Sequence, residues 1–273
     1  MSPNGHGGAL RALLKSGATE IMREAGIDIL SYFQVDNPMV ACIDPSFIGF
    51  HVMNEADLSS KRVGKTYASE KVGLFCNYGG SDVVLEYSDL PKTIQEMQDL
   101  GGDLLYSSGN IAVHLFDRGL IERLGSETSR EKLAFHKAFK KIPYFDAQMG
   151  RVNPSENNGY KFEMFVFDAL PKAKKSLIVE GLREDTFSPV KNAEGVDSPQ
   201  SSKESLQRQA QRWLSAAFTE SQIGASDLNN CHFEINFRFA MDAKDFVQQW
   251  KKLEIKPEIQ EGLIIGDTIN GYR

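Results

Sequence analysis

Residues 29–38, ILSYFQVDNP, decide the fold class. The apolar, β-rich run from Ile29 to Val35 predicts a strand, and Asp36-Asn37-Pro38 ends it in a turn. Upstream, apolar residues recur at helical spacing from Ala9 to Ala25, so the order along the chain is helix, loop, strand. That order is typical of α/β proteins, in which ligands bind beyond the carboxyl ends of strands.

Asp36, at the end of this strand, is a candidate ligand-binding residue. Mg²⁺ prefers one or two carboxylates together with substrate phosphates, and an aspartate in this place suits that chemistry. An aspartate before a proline is also common in a plain turn. The stretch by itself leaves both interpretations open.

The chain opens on a glycine-rich stretch, MSPNGHGG, that runs into the predicted helix. Backbone N–H groups at a helix N-terminus attract anions, and glycine lets a ligand approach the backbone closely. The plain alternative is an unstructured start followed by a helix cap. Because nothing precedes this loop to anchor its other flank, we expect that an upstream part of the protein is missing from the chain.

Local signals predict further elements before residue 110. Asp44-Pro45 predicts a capped helix from Ser46 to about Asn54, and Gly79-Gly80-Ser81 joins two β-rich runs in a hairpin. Glu86 follows the second run, where a carboxylate often accepts ligand hydroxyls, although a solvated strand end is the alternative. The other elements expected here are a helix near Lys92–Leu100, a strand at Leu104-Leu105-Tyr106, and a polar turn ending in Asn110.

Residues after 160 give weak signals one by one, and no chemical motif lies beyond Asn192. Phe165 and Phe167 are by spacing typical of a core, and Lys191 taken alone is typical of a surface. Beyond a linker rich in Ser, Gly and Pro, the pattern predicts a small α/β unit. Its expected elements are helices at Ser205–Phe218 and Ala243–Lys251 and strands at His232–Phe239 and Leu263-Ile264-Ile265.

Composition narrows the class of protein. The chain has 273 residues, 41% hydrophobic and 25% charged, which excludes collagen-like, disulfide-scaffold and wholly disordered chains. No apolar run approaches the roughly 20 residues of a membrane span, and the net charge of −6 opposes nucleic acid, so we expect neither partner. Three widely spaced cysteines in apolar surroundings predict buried, reduced thiols of a cytoplasmic protein.

Six segments carry a family resemblance. They are PNGHGG at 3–8, VDN at 35–37, VLEYS at 84–88, SGNIA at 108–112, FVFD at 165–168 and LREDTFSPVKN at 182–192. In this order and spacing they closely resemble the UDP-N-acetylhexosamine pyrophosphorylase branch of the UDP-sugar pyrophosphorylases. The resemblance covers about residues 2–195.

The resemblance implies a Rossmann-like nucleotidyltransferase of the glycosyltransferase-A-like type, with a mixed sheet flanked by helices and a small α/β C-terminal domain. We therefore expect a catalytic domain over residues 1–192, a linker over 193–203 and the C-terminal domain over 204–273. The implied reaction joins UTP and N-acetylglucosamine 1-phosphate into UDP-N-acetylglucosamine and pyrophosphate, with Mg²⁺ as cofactor.

By position, the resemblance also implies residue roles. Gly5 and His6 would line the uridine pocket, and Asp36 would lie by the metal and the phosphates that Lys191 contacts. The residues expected to hold the sugar and wall its N-acetyl group are Gly73, Glu86, Asn110, Phe165 and Phe167. Since the attacking sugar phosphate is already an anion, this chemistry needs positioning and cations, supplied by the metal and Lys191, rather than a general base.

Two departures from the family pattern leave alternatives open. His6 stands where many members of the acetylhexosamine branch have Asn, and this form resembles the UDP-glucose and broad UDP-sugar branches. The family's glycine-rich triphosphate loop has no counterpart, so we expect a C-terminal part of the enzyme, completed by a missing segment or chain and with little activity alone. The other alternative is an inactive remnant that binds the nucleotide sugar.

Overall fold

The computed structural model describes residues 4–126, 128–219 and 231–266. The first three residues of the glycine-rich opening therefore lie outside the described part. The chain divides into two units, residues 1–33 with 42–180 and residues 34–41 with 181–273. None of the helices described is both long and apolar enough to cross a membrane.

The described residues form twelve strands and eight α-helices. The strands are β1 (Ile29–Tyr32), β2 (Leu58–Gly64), β3 (Gly73–Tyr78), β4 (Ser81–Leu85), β5 (Ser108–Asp117), β6 (His136–Lys140), β7 (Tyr144–Asp146), β8 (Gly150–Val152), β9 (Gly159–Glu163), β10 (Ser176–Glu180), β11 (Phe233–Ile235) and β12 (Leu263–Ile265). The helices are α1 (Gly8–Lys15), α2 (Ala18–Glu24), α3 (Pro45–Met53), α4 (Lys92–Gln95), α5 (Arg118–Gly125), α6 (Arg183–Thr186), α7 (Pro199–Thr219) and α8 (Ala243–Lys252), with 3-10 helices at Tyr87–Asp89 and Val166–Lys172.

The first unit is built on a six-stranded sheet in the order β10-β2-β5-β3-β4, with β1 paired to β5. β10 runs parallel to β2, and the other pairs are antiparallel, so the sheet is mixed. Two short ribbons, β6 with β9 and β7 with β8, stand outside it. The predicted α/β fold with a mixed sheet flanked by helices is confirmed.

The core of the first unit forms where α1, α5 and the 3-10 helix Val166–Lys172 contribute side chains against the sheet. Leu10 of α1 and Leu124 of α5 are each only 4% exposed, and such a side chain contributes about 1.5–3 kcal/mol when buried. The two helices approach closely at Gly125, where a Cβ would lie 2.9 Å from the carbonyl oxygen of Leu10. This packing places α1 beside the 3-10 helix Val166–Lys172.

Several local predictions are confirmed. Asp44 caps α3 by accepting a hydrogen bond from the Phe47 N–H at 3.0 Å. β3 and β4 form the predicted hairpin, and Gly79 and Gly80 at its turn have φ of +58° and +85°. Both values lie in the left-handed region that a two-residue turn of type I′ requires.

Other local predictions are wrong. The helix expected over residues 9–25 is two helices, because Gly17 adopts a φ of +79° between them. Residues 104–106 form only an isolated bridge, and the polar stretch expected as a turn begins the ten-residue strand β5. Asn110 therefore lies inside a strand rather than at a turn. The expected helix after Lys92 ends at Gln95, and the Asp99 side chain instead accepts N–H bonds from a turn.

β1 ends at Tyr32 rather than Val35 because the chain leaves the sheet there and enters the second unit. The cysteine prediction holds in part: all three thiols are free, but Cys42 is exposed and the other two are half-buried. Cys42 lies outside any helix or strand, so neighbouring strands do not cover it.

The second unit packs α7 and α8 over the parallel pair β11 and β12. Its core includes Trp213, Trp250 and Phe246, which are 7%, 1% and 0% exposed. α7 begins at Pro199, inside the predicted linker 193–203, and Ser202 in its first turns is 2% exposed and donates to the Ser188 carbonyl at 2.8 Å. The two units meet in sequence at 180/181 rather than at the expected boundary after 192, and that domain assignment stays a prediction.

Candidate functional site

The glycine-rich opening pairs with a segment 160 residues away. The Gly7 N–H donates to the Met164 carbonyl at 2.8 Å, and the Met164 N–H donates to the Asn4 carbonyl at 2.7 Å. A Cβ on Gly5 would lie 2.5 Å from the Met164 oxygen, and one on Gly7 would lie 2.8 Å from the Met164 carbonyl carbon. The glycines are thus needed for backbone contact within the protein, a reason that the sequence pattern did not reveal.

This pairing fixes the chemical state of His6. Its Nδ1 accepts a hydrogen bond from the Val166 N–H at 3.1 Å, so Nδ1 carries no proton. Burial lowers the pKa of His6, and the carboxylates of Asp168 and Glu163 raise it by less. His6 is therefore neutral at pH 7 with its proton on Nε2, which is a hydrogen-bond donor. A carbonyl oxygen is the natural acceptor for such a group.

Phe165 and Phe167 lie beside His6 as a pair of rings. Their centroids are 5.1 Å apart in a stacked arrangement, and the His6 ring is 5.3 Å and 5.8 Å from them. Phe167 is buried in the core at 5% exposure, whereas Phe165 is only partly buried. Phe165 thus presents an apolar ring at the edge of the core, as expected of a pocket wall.

Gly73, Glu86 and Asn110 come together around the first residue of β3. Gly73 is the cross-strand partner of Asn110, and a Cβ on Gly73 would lie 2.7 Å from Val84 Cγ1 and 3.6 Å from Glu86 Oε1. Asn110 is 8% exposed, and its Oδ1 accepts from the Ala112 N–H at 2.9 Å. Its Nδ2 is the group left to donate to a ligand oxygen.

Val84 lies beside Gly73 and at the core of the first unit. A Cβ on Gly73 would lie 2.7 Å from its Cγ1, and its side chain packs against the core cluster that contains Phe167. Seven of the nine predicted site residues lie in the first unit, in two groups. One group is Gly5, His6, Phe165 and Phe167, and the other is Gly73, Glu86 and Asn110.

The other two predicted residues, Asp36 and Lys191, lie in the second unit. The Val190 N–H donates to the Asp36 carbonyl at 2.8 Å, which makes Asp36 and Lys191 neighbours. Asn37 fixes this arrangement: its Nδ2 donates to the Thr186 carbonyl at 2.8 Å, and its Oδ1 accepts from the Ser188 N–H at 3.1 Å. The segments VDN and LREDTFSPVKN, far apart in the sequence, are thus joined.

Sequence reasoning missed residues that hold the predicted segments in place. Asn37 carries the segment pairing although it was taken as part of a turn. His136 belongs to none of the six motif segments, yet it contacts Asp168 and Phe165. Asp168 belonged to a motif but received no role, and the only available signal was its place directly after Phe167.

One hydrogen-bonded chain resembles a catalytic triad without being one. His51 Nδ1 is 2.7 Å from Ser59 Oγ, and His51 Nε2 is 3.0 Å from Asp117 Oδ1. Ser59 is 0% exposed and His51 is 1% exposed, so no substrate reaches the hydroxyl. These hydrogen bonds among Ser59, His51 and Asp117 hold α3 to β2 and β5.

The cavities lie elsewhere. One of about 890 Å³ lies in the second unit between α7 and the β11–β12 pair, and one of about 610 Å³ lies beside Lys65 and Ser107 in the first. Neither is lined by a predicted site residue. The predicted site residues are therefore identified by the segments that carry them, not by either of these cavities.

The chain is similar to known proteins. The chain matches the family model described as UTP–glucose-1-phosphate uridylyltransferase over residues 1–223. It is 40% identical to UDP-N-acetylhexosamine pyrophosphorylase-like protein 1 of Homo sapiens over 215 residues, 78% of this chain and 42% of that protein. It is 34% identical to UDP-N-acetylglucosamine pyrophosphorylase of Saccharomyces cerevisiae over 221 residues, 79% of this chain and 46% of that one.

Solved structures show the same similarity. A crystal structure of the uridine diphosphate N-acetylglucosamine pyrophosphorylase from Trypanosoma brucei superposes with a TM-score of 0.73 at 26% identity, covering 92% of this chain and 51% of that one. A protein of Entamoeba histolytica described as a UDP-N-acetylglucosamine pyrophosphorylase gives a TM-score of 0.76 at 29% identity, covering 97% and 63%. The chain spans less than half the length of the human and yeast relatives.

Proposed function

The chain belongs to the UTP–glucose-1-phosphate uridylyltransferase family, and we propose that it is part of a uridylyltransferase. The proposed enzyme makes UDP-N-acetylglucosamine and pyrophosphate from UTP and N-acetylglucosamine 1-phosphate. The observation that carries the proposal is the pairing of residues 4–7 with 164–166. It sets a neutral imidazole donor beside two aromatic rings. A uracil carbonyl and an acetamide methyl are ligand groups of matching chemistry.

The sugar would be bound by the residues around Gly73. Asn110 Nδ2 donates and the Glu86 carboxylate accepts, which suits sugar hydroxyls, since each of these both donates and accepts. A glycine at position 73 lets Val84 pack there next to Glu86, because a Cβ would lie 2.7 Å from Val84 Cγ1 and 3.6 Å from Glu86 Oε1. The apolar ring of Phe165 would cover the acetamide methyl, so an N-acetylated sugar gains a contact that glucose lacks.

The phosphates would be bound by the Asp36–Lys191 pair. Lys191 supplies a fixed positive charge, which stabilises the negative charge that spreads over phosphate oxygens as the sugar phosphate attacks the α-phosphorus. The bond formed joins the sugar phosphate oxygen to this phosphorus, and the bond broken releases pyrophosphate. No general base is needed, because the attacking oxygen carries no proton.

Mg²⁺ is part of the proposal through Asp36. Within residues 4–126, 128–219 and 231–266, no group of three His, Cys, Asp or Glu side chains is placed to hold a metal. A single carboxylate fits Mg²⁺ that is bound mainly by substrate phosphates, and does not fit an ion held by protein ligands alone. When bound, the ion would neutralise phosphate charge.

A binding titration tests the proposal. We expect the purified chain to bind UDP-N-acetylglucosamine in isothermal titration calorimetry, and Asn110→Ala to weaken binding by up to about tenfold, the effect of one lost hydrogen bond. Asn54→Ala is the matched control, because Asn54 is an asparagine with one backbone hydrogen bond far from these residues. Absence of binding, or equal binding by the wild type and Asn110→Ala, contradicts the proposal.

Catalysis separates the proposal from the binding-remnant alternative. UTP formation from UDP-N-acetylglucosamine and pyrophosphate is measured for the same preparation with Mg²⁺ and after EDTA. Turnover that depends on Mg²⁺ and is lost in Lys191→Ala supports a uridylyltransferase. Binding without any turnover is expected both of the remnant and of an enzyme that needs a missing segment, so only observed turnover separates the two. Equal affinity for UDP-glucose and UDP-N-acetylglucosamine favours a broad sugar specificity.

A further inference from the structure

His136 contacts both ends of the turn that carries the aromatic pair. Its Nε2 is 2.6 Å from Asp168 Oδ2, and its ring centroid is 4.6 Å from that of Phe165. Phe165 and Asp168 belong to one turn, in which the Asp168 N–H donates to the Phe165 carbonyl at 3.2 Å. One imidazole thus touches the ring at the start of the turn and the carboxylate at its end.

His6 holds the same turn by a different contact. Its Nδ1 accepts from the Val166 N–H, and its ring lies 5.3 Å from Phe165. Phe165 therefore contacts two imidazoles, one from the glycine-rich opening and one from β6. The ribbon of β6 and β9 sets the position of His136, which is the cross-strand partner of Glu163.

Phe165 needs this support more than Phe167 does. Phe167 is 5% exposed and is fixed by the core, whereas Phe165 is partly buried with its ring at the core edge. A ring at an edge has more than one accessible rotamer unless neighbours restrict it. The His136 ring is the nearest aromatic contact of Phe165, at 4.6 Å against 5.1 Å for Phe167 and 5.3 Å for His6.

We propose that His136 is a positioning residue for sugar choice: anchored by Asp168, it holds the Phe165 ring in place as the wall for an N-acetyl group. The inference rests on the proposed function, because it assigns to His136 the discrimination between N-acetylated and non-acetylated sugar nucleotides. His136 acts through Phe165 and contacts no reacting atom.

The test compares two ligands. We expect His136→Ala to weaken UDP-N-acetylglucosamine binding by up to about tenfold, the upper range for one aromatic contact, and to change UDP-glucose binding by less than about twofold. His136→Phe keeps a ring against Phe165 and is expected to restore most of the selectivity. His136→Gln keeps a donor for Asp168 without the ring and is expected to restore little.

His232→Ala is the matched control, because His232 also pairs with a carboxylate, Glu261 at 3.2 Å, in the second unit. It is expected to leave both affinities unchanged. An equal loss for both sugar nucleotides in His136→Ala indicates a merely structural role and overturns the inference. Unchanged selectivity in His136→Ala overturns it as well.

A ligand-free measurement separates this inference from the proposed function. In protein with ¹³C-labelled phenylalanine, we expect contacts between the His136 and Phe165 rings in the nuclear Overhauser spectrum, and averaged Phe165 ring signals in His136→Ala. If the wild type binds neither sugar nucleotide, the proposed function fails, and the Phe165 signals still decide whether His136 positions the ring. Identical Phe165 signals in wild type and His136→Ala overturn the positioning.

Discussion

Protonation of His114 is expected to make the first unit acid-sensitive. His114 lies on β5, is 0% exposed, and its Nδ1 is 2.8 Å from Ser60 Oγ. Its Nε2 is a buried atom for which the described residues supply no hydrogen-bond partner. Burial and, to a smaller extent, the nearby His6 lower the pKa of His114 to about 3. A charged imidazole here would be buried in the first unit.

The size of the effect follows from the two pKa values. The unfolded chain has a histidine pKa of about 6.5, so below that pH the unfolded state binds the proton that the folded state refuses. The stability that His114 contributes is therefore complete above about pH 6.5 and is lost as pH falls toward 3. At pH 5 the solution is about 1.5 pH units below the pKa of the unfolded state. The folded protein therefore loses about 2 kcal/mol of its free energy of unfolding.

The assay must report on the first unit by itself. Both tryptophans, Trp213 and Trp250, lie in the second unit, so their fluorescence follows the unfolding of that unit. Hydrogen exchange of β5 amides at pH 7.5 and 5.0, corrected for intrinsic rates, follows the first. We expect β5 to lose about 2 kcal/mol of opening free energy at pH 5.

His114→Asn is the decisive comparison, because an asparagine amide can bond to Ser60 and does not titrate. We expect this variant to be less stable than the wild type at pH 7.5, because the smaller side chain leaves unfilled space. Between pH 7.5 and 5.0 its β5 should lose about 2 kcal/mol less opening free energy than the wild type. His232→Asn, at an exposed position, should keep the wild-type pH dependence. A His114→Asn profile parallel to the wild type would refute the reasoning.

Three further substitutions have defined outcomes. Gly5→Ala should lower the melting temperature of the first unit by more than Gly26→Ala, because both glycines have positive φ but only Gly5 has backbone atoms within 3 Å of a new Cβ; equal losses would contradict this. Gly73→Ala should weaken UDP-N-acetylglucosamine binding in a calorimetric titration, whereas Gly64→Ala, with open space around it, should not. Asn37→Ala should cost the second unit about 1–3 kcal/mol in urea unfolding followed by tryptophan fluorescence, because it leaves the Ser188 N–H without its acceptor; an unchanged midpoint would argue against it.

Elements with local signals could be predicted from the sequence. The Asp44 cap of α3, the Gly79-Gly80 turn and the apolar stripe of α8 each depend on residues a few positions apart. Such signals need no knowledge of the fold, because propensity and capping act within one or two turns of chain. The family motifs likewise marked segments that pair in the structure, residues 3–8 with residue 164 and residues 35–37 with 182–192.

β2 could not be predicted, because three of its buried side chains are polar and lie next to one another in the sequence. Ser59, Ser60 and Lys61 are 0%, 0% and 7% exposed, and no hydrophobic alternation marks them. Each has a partner elsewhere in the chain: His51 for Ser59, His114 for Ser60, and Asp44 for Lys61. Buried polar groups are stable when paired, and the pairing is visible only in three dimensions.

The roles of site residues were limited in the same way. Nothing near Asn37 in the sequence indicates that its amide joins residues 186 and 188, and nothing near His136 indicates Phe165. These contacts depend on how the sheet and the β6–β9 ribbon bring separate segments together. Motif positions therefore predicted which segments matter, while the structure identifies the residues that hold them.

The histidine at position 6 bears less on sugar choice than the motif comparison suggested. In the structure His6 accepts one hydrogen bond at Nδ1 and offers a donor at Nε2. An asparagine amide also has one acceptor and one donor group, so exchange between His and Asn preserves the hydrogen-bonding pattern. Under the proposed function, the group that would distinguish an acetamide from a hydroxyl is the apolar Phe165 ring, whose neighbours are His6 and His136.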